Sequence, residues 1–238
     1  MGKSHLKRLA ALKTWNVKRK GVKFITKSAP GPHSLETGMP LCVLLKETLG
    51  YAKSTREAKK ITNINGIMID GKARKDVRFP VGIFDTIGFT GINEYFRVIL
   101  NDKGKIGVVK IKKEEAMLKP CKIIGKKALS GKQQLNLYDG KNISVSDGAY
   151  KVGDTVVITL PEQKISKHLK LDKKSAIFLT GGKHIGEIGV VENIVRDKIV
   201  YKDSNGELIE TLKRYAFVVG QNKPMITLED EHDEKHKG

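Results

Sequence analysis

The chain has 238 residues, of which 39% are hydrophobic, 6% aromatic and 30% charged, with 45 Lys/Arg against 26 Asp/Glu and a formal net charge of +19. That apolar content supports several small modules with thin cores better than one large fold, and the basic excess points to nucleic acid or an anionic surface. No apolar run reaches the roughly 18 residues of a membrane-spanning helix, and Cys42 and Cys121 stand too far apart for a disulfide framework or a four-ligand zinc site. The N-terminus is basic but no apolar core follows it, so the chain does not read as secreted and its compartment is read as cytosolic.

Charge is distributed unevenly. Residues 1–60 carry 14 Lys/Arg against 3 Asp/Glu, and the first acidic residue, Glu36, follows nine basic ones. Residues 121–180 carry 11 against 5, whereas residues 181–238 carry 9 against 11. A polyanion therefore meets the N-terminal half first.

Residues 1–40 read as a basic arm. Leu6, Leu9 and Leu12 recur at helical spacing among Lys3, His5, Lys7, Arg8 and Lys13. After Trp15, the run Lys18-Arg19-Lys20-Gly21 ends any helix, and Ala29-Pro30-Gly31-Pro32-His33 reads as a turn or extended linker. So little apolar content predicts that the arm orders only on a partner, as a basic extension threading into folded RNA with Lys3, His5, Lys7, Arg8, Lys13, Lys18, Arg19 and Lys20 as its contacts. Trp15 either stacks on a base or seals the arm against the body, the second being the commoner fate of a tryptophan. Lys18-Arg19-Lys20 also has the look of a targeting tag, the weaker of its readings.

Leu41, Leu44, Leu45, Thr48 and Leu49 mark one buried face of a helix over 41–50, with Cys42 on its flank and Gly50 as its stop. Ser54-Thr55-Arg56-Glu57 has the form of a capping box and opens a second helix. There Ala58 and Ile61 face inward, while Arg56, Lys59, Lys60 and Asn63 share the opposite face. Gly66 ends the helix, Ile67-Met68-Ile69 forms a strand, and Asp70-Gly71 is a hairpin turn leading into Lys72-Ala73-Arg74-Lys75. From about residue 77 the chain reads as β throughout, with apolar runs at 81–84, 96–100, 106–111 and 155–160 and hairpin tips at 101–104 and 138–141. A five-strand pattern covers 176–180, 187–195, 199–202, 208–211 and 215–219, and the acidic segment 229–238 reads as a disordered tail.

The segment 41–87 is an RNA-binding surface on this reading. Arg56, Lys59 and Lys60 meet phosphates from the helix, and Lys72, Arg74 and Lys75 do so from the hairpin. A solvated basic face is the plainer alternative. A-form RNA displays its sequence poorly in its deep groove, so shape and backbone contacts dominate.

Ser54, Thr55, Arg56, Ala58, Asn65, Gly66, Ile69, Asp70, Gly71 and Lys72 together resemble the S4-type RNA-binding module, with Asp70 where an Asn is usual. The flanks His5-Leu6-Lys7-Arg8-Leu9-Ala10, Pro30-Gly31-Pro32-His33, Arg78-Phe79-Pro80-Val81-Gly82 and the stretch from Thr211 to Gly220 resemble the S4e family of small-subunit ribosomal proteins, in its compact archaeal form. The run from Thr180 through Gly182, Lys183 and His184 to Val191 is similar to a KOW motif, and it lacks the order of a nucleotide-binding P-loop. The resemblance implies binding to small-subunit ribosomal RNA, neighbouring ribosomal proteins as partners, and no catalysis. It adds Ser54, Thr55, Arg78, Gly182, Lys183 and His184 to the candidate RNA contacts.

Catalytic readings find little support. No Ser or Cys nucleophile motif and no carboxylate pair in a Gly-flanked apolar setting is visible. His232 and His236 have helical ligand spacing within the acidic tail, which supports adventitious metal contact at most. No cofactor, metal, small-molecule substrate or membrane partner is predicted. Two alternatives stand beside a ribosomal constituent: an RNA-modifying enzyme, since S4-like modules accompany such enzymes, and a KOW-type transcription factor. The predicted architecture is α+β and mostly β. It comprises a basic arm (1–40), an S4-like module (41–104), a central β domain (105–172), an SH3-like KOW barrel (173–228) and a tail (229–238).

Overall fold

In the computed structural model, which describes residues 5–64, 66–129, 132–146 and 148–228, the chain divides into two units. The first holds residues up to Ile99 together with Lys105–Met117; the second holds Leu100–Gly104 and everything from Leu118 onward. Apart from Leu100–Gly104, the division along the chain falls at Met117/Leu118. The predicted tail, with His232 and His236, lies outside the described residues, as do Lys3 and Asn65.

The first unit begins with β1 (Leu6–Lys7), β2 (Phe24–Ile25) and β3 (Gly38–Pro40). Helix α1 (Leu41–Val43) runs on into a wide π-type turn at Leu44–Thr48, where the Leu49 N–H donates to the Leu44 carbonyl at 2.9 Å. Gly50, at φ +69°, ends it. Then come α2 (Thr55–Ile64), β4 (Ile67–Ile69), β5 (Lys72–Ala73), β6 (Pro80–Gly82), β7 (Thr86–Phe89), β8 (Glu94–Leu100), β9 (Ile106–Ile111) and the short α3 (Lys113–Ala116). β1 pairs with β2 and β3 with β6, both antiparallel, and a five-stranded sheet runs β5-β4-β7-β8-β9.

The arm was expected to remain open without a partner, and the structure corrects that. Trp15 is 1% exposed, its indole N–H donates to the Gly38 carbonyl at 2.9 Å, and its backbone bridges Ile106. The Pro-Gly-Pro-His linker is locked as well. The His33 ring packs where a Gly82 side chain would sit, and its Nε2 meets Asp85 Oδ1 at 2.9 Å. The other Asp85 oxygen accepts from the Gly82 N–H. One tryptophan and one buried His–Asp pair do what the scarce aliphatic residues of the arm cannot.

The second unit carries two sheets. β10 (Leu118–Leu129), β11 (Lys132–Leu137), β12 (Asn142–Val145), β13 (Thr155–Thr159) and β14 (Lys164–Leu169) form one, in the order β12-β11-β10-β13-β14. β15 (Ser175–Leu179), β16 (Ile188–Val195), β17 (Lys198–Asp203), β18 (Leu208–Leu212), β19 (Ala216–Gln221) and β20 (Lys223–Pro224) form the other, in the order β18-β17-β16-β15-β19-β20. The five predicted barrel strands are all present, within two residues of their expected ends.

Alternation along β13 organises this unit. Val156 and Ile158 face a cluster with Cys121, Ile123, Leu135 and Leu137. Val157, on the opposite face, packs with Leu169, Leu171, Ile177, Leu179, Val191, Ile199, Tyr201 and Val218. The central sheet and the barrel strands thus share one core, although the sequence divided them at residue 172.

Candidate nucleic-acid interface

The basic helix is aimed by its cap. Ser54 Oγ accepts from the Glu57 N–H at 3.2 Å, as predicted, but the Glu57 carboxylate reaches back one residue further than expected, to the Lys53 N–H at 2.8 Å. Those bonds, led by the one from Lys53, hold the Glu57 carboxyl below its usual range. Ala58 and Thr62 are buried, and Ile61 only half so. Thr62 Oγ1 donates to the Ala58 carbonyl at 2.7 Å, closing the inner face. Arg56, Lys59, Lys60 and Asn63 are all exposed on the other side, and Lys53 and Thr55 are exposed beside them.

α2 packs against β4, whose hairpin carries the next cations. Asp70 (φ +51°) and Gly71 (φ +72°) are both left-handed, the backbone of a tight two-residue hairpin turn. Asp70 offsets its strained φ in part by accepting from the Thr86 N–H at 3.2 Å. Lys72 and Lys75 are exposed. Arg74 is not a free contact: it is half-buried, with its guanidinium 4.3 Å over the Phe79 ring. Arg78 is exposed, and its Nε donates to the Lys27 carbonyl at 3.3 Å.

In the arm, His5, Lys7, Lys13, Lys18 and Lys20 are exposed. Three other expected RNA contacts are turned inward. Trp15 is the buried anchor of the arm. Arg8 is buried, its Nη2 2.8 Å from Glu47 Oε1 and its Nη1 2.9 Å from the Lys18 carbonyl. Arg19 is half-buried and donates to the carbonyls of Ala11 and, at 3.0 Å, Leu12. Sequence spacing cannot distinguish a guanidinium that reaches outward from one whose five donors gather nearby carbonyls.

The Gly-rich loop between β15 and β16 presents Gly182 and Lys183 to solvent. His184 is half-buried, with Nδ1 2.9 Å from Glu187 Oε1, and the other Glu187 oxygen accepts from the Tyr201 hydroxyl at 3.1 Å. Burial, and then Glu187, push the Tyr201 hydroxyl up. Gly186 (φ +89°) lies against the backbone carbonyl of Asn101, leaving no room for a side chain. The loop is built chiefly for close packing, with Lys183 as its outward cation.

Sequence reasoning missed a second basic surface. Beyond Lys122, β10 leaves β13 and pairs with β11 alone, and along it Lys126, Lys127, Ala128 and Leu129, with Lys132 at the start of β11, are exposed. The Lys-Lys pair, one turn signal away from another Lys, was the available clue. Part of the basic excess is also internal. Arg97 is fully buried against Glu115. Burial alone would raise the Asp139 carboxyl, but Lys119 at 3.1 Å and Lys141 at 2.9 Å hold it below its usual range.

The chain is similar to known proteins. A model described as ribosomal family S4e matches residues 92–165, and one described as the RS4NT (NUC023) domain matches residues 1–36. A protein of Methanosphaera stadtmanae named small ribosomal subunit protein eS4 is 43% identical over 235 residues, covering 95% of this chain and 96% of its own. Its namesake in Methanococcus aeolicus is 38% identical over 240 residues, covering 95% and 98%. The crystal structure of 30S ribosomal protein S4e from Thermoplasma acidophilum superposes with a TM-score of 0.69 at 28% identity, covering 81% of this chain and 99% of that one.

Proposed function

The chain belongs to the S4e family of ribosomal proteins, and from that membership we propose that it is a structural, RNA-binding constituent of the small ribosomal subunit in the cytoplasm, with no catalytic step of its own. The observation that carries this reading is the run of relatives at 36–43% identity over nearly the whole chain, all named small ribosomal subunit protein eS4. Its partners are small-subunit ribosomal RNA and adjoining ribosomal proteins. The exposed cations Arg56, Lys59 and Lys60 on α2, with Lys72 and Lys75 on the β4–β5 hairpin, support an S4-like docking surface on this reading. His5, Lys7, Lys13, Lys18 and Lys20 of the arm, Arg78, and Lys183 of the Gly-rich loop are further phosphate contacts. Such contacts fix register and affinity while carrying little base information.

Sucrose-gradient sedimentation of cell extract at high salt tests the reading. Stable migration with the small subunit is the expected result. Migration with RNA polymerase, or as free protein, would refute it.

A further inference from the structure

A cleft of about 770 Å³ opens in the second unit beside the turn Lys213–Tyr215 that leads into β19. Its walls are unusually apolar for a surface. Ile124, Val152 and Leu212 line it while remaining 55%, 50% and 36% exposed, and exposed aliphatic side chains that converge in this way are uncovered binding area. Tyr138 lies within it, edge-on to the buried Phe217 at 6.4 Å between ring centres.

The rim is cationic, and its geometry is fixed from below. The Lys122 ammonium is buried and donates to the carbonyls of Arg214 at 2.8 Å and Ala216 at 2.6 Å, which holds the turn in place. Lys213 and Arg214 both line the cleft. The Arg214 guanidinium is spread over the Tyr215 ring at 4.7 Å and donates to its hydroxyl at 2.7 Å, so it is exposed as an oriented plane. Three surface lysines carry a carboxylate partner: Lys110 has Glu94, Lys164 has Glu162 and Lys198 has Glu210. Among the described residues no carboxylate pairs with Lys213 or Arg214. Asp197 is the one carboxylate on the lining, and its backbone carbonyl accepts from the Lys213 N–H at 2.8 Å.

We propose that this cleft receives one unpaired nucleotide of RNA, its base between the Ile124/Val152 wall and Leu212 beside Tyr138, and its phosphate on Lys213 and Arg214. The inference rests on the reading of the chain as an RNA-binding protein and adds a site for a base where that reading has only phosphate contacts. An apolar slot with a cationic rim matches the two-part chemistry of a nucleotide, and the volume lies within the range of small-ligand sites. An apolar side chain of a protein would fill the slot but leave two unpaired cations beside it. Asp197 offers an acceptor for an exocyclic amine, which would favour adenine, cytosine or guanine over uracil.

Short-wave ultraviolet crosslinking of small subunits carrying the full chain, with mass spectrometry of nucleotide adducts, tests the site. A single-nucleotide adduct on Tyr138 is the expected result. Val152→Asp, at a half-exposed position, should lower its yield about tenfold, the scale of removing one base from its platform. Arg214→Glu should lower it as well, while adducts in the α2 region stay unchanged in both variants and report a folded, incorporated chain. Adducts near α2 with none at Tyr138 would overturn the cleft and leave the RNA-binding reading standing. An unchanged Tyr138 yield in Val152→Asp would also overturn it. So would a zero-length amine–carboxyl crosslink from Lys213 to another protein, which would mean a protein sits in the cleft. No adduct anywhere on the chain would count against the RNA-binding reading itself.

Discussion

Lys122 shows that part of the positive charge of the chain serves its interior: its ammonium sits inside the second unit with backbone carbonyls as acceptors. Burial, and then the nearby Lys213 charge, pull its pKa down from 10.5 to about 8. Replacing it by Met leaves those carbonyls buried without a donor, and should cost about 1–3 kcal/mol in urea unfolding. The sign of the pH effect follows from linkage. The folded state binds this proton less tightly than the unfolded chain, so the penalty is full below about pH 8 and fades toward pH 10.5. Wild-type stability, measured against Lys122→Met, should therefore rise as pH climbs through that window; a flat or falling difference would contradict the burial argument. Trp15 makes a second test at this scale. It is the only tryptophan, so its emission should be blue-shifted in the free protein and change little on adding ribosomal RNA. A large quench on binding would restore the stacking role that its burial removes.

At the scale of elements, α2 and its hairpin were the most legible part of the sequence. Helical spacing, a Ser-x-x-Glu start and an Asp-Gly turn each follow a local rule, and the structure keeps all three with only the Glu57 partner moved by one residue. Ser54→Ala should cost about 1 kcal/mol in thermal or urea unfolding through loss of the cap. The charge-reversed pair Arg56→Glu/Lys60→Glu should leave the far-ultraviolet dichroism unchanged. It should also reduce the slope of log K against log salt by about 0.7–0.9 for each phosphate no longer neutralised. Unaltered binding at fixed salt would mean that this face of α2 does not meet RNA. The arm was less legible, for a physical reason. Its strands are two or three residues long and its stability comes from contacts at long sequence separation, Trp15 with Gly38 and His33 with Asp85, which no window of periodicity detects.

For the whole molecule, the same contacts change what a truncation means. From sequence, deleting residues 1–35 should leave a sound body that assembles poorly. With Trp15 and His33 inside the first unit, the deletion also removes part of that unit's core, and a large buried aromatic alone is worth about 3–5 kcal/mol. Limited proteolysis should therefore find the truncated chain cut readily within 36–117 and still protected across the second unit. Equal protection throughout would show that the arm is dispensable to folding. The barrel strands were readable because Gly and Asn turns punctuate them, whereas the shared core at Val157 was not, since alternation tells a strand that it has two faces but not what covers each.

The turn Asn101–Gly104 belongs to the second unit, where Gly186 rests on its backbone and Ile185 packs against Gly104. Domains tend to fold as units from the N-terminus during synthesis, and that turn leaves the exit tunnel before the loop that needs it. The nascent chain must therefore hold a finished seat in readiness for a later arrival. A fragment begun at Leu118 would emerge without that seat and leave Ile185 and Gly186 bare, so the second unit is best produced with residues 100–104 still attached.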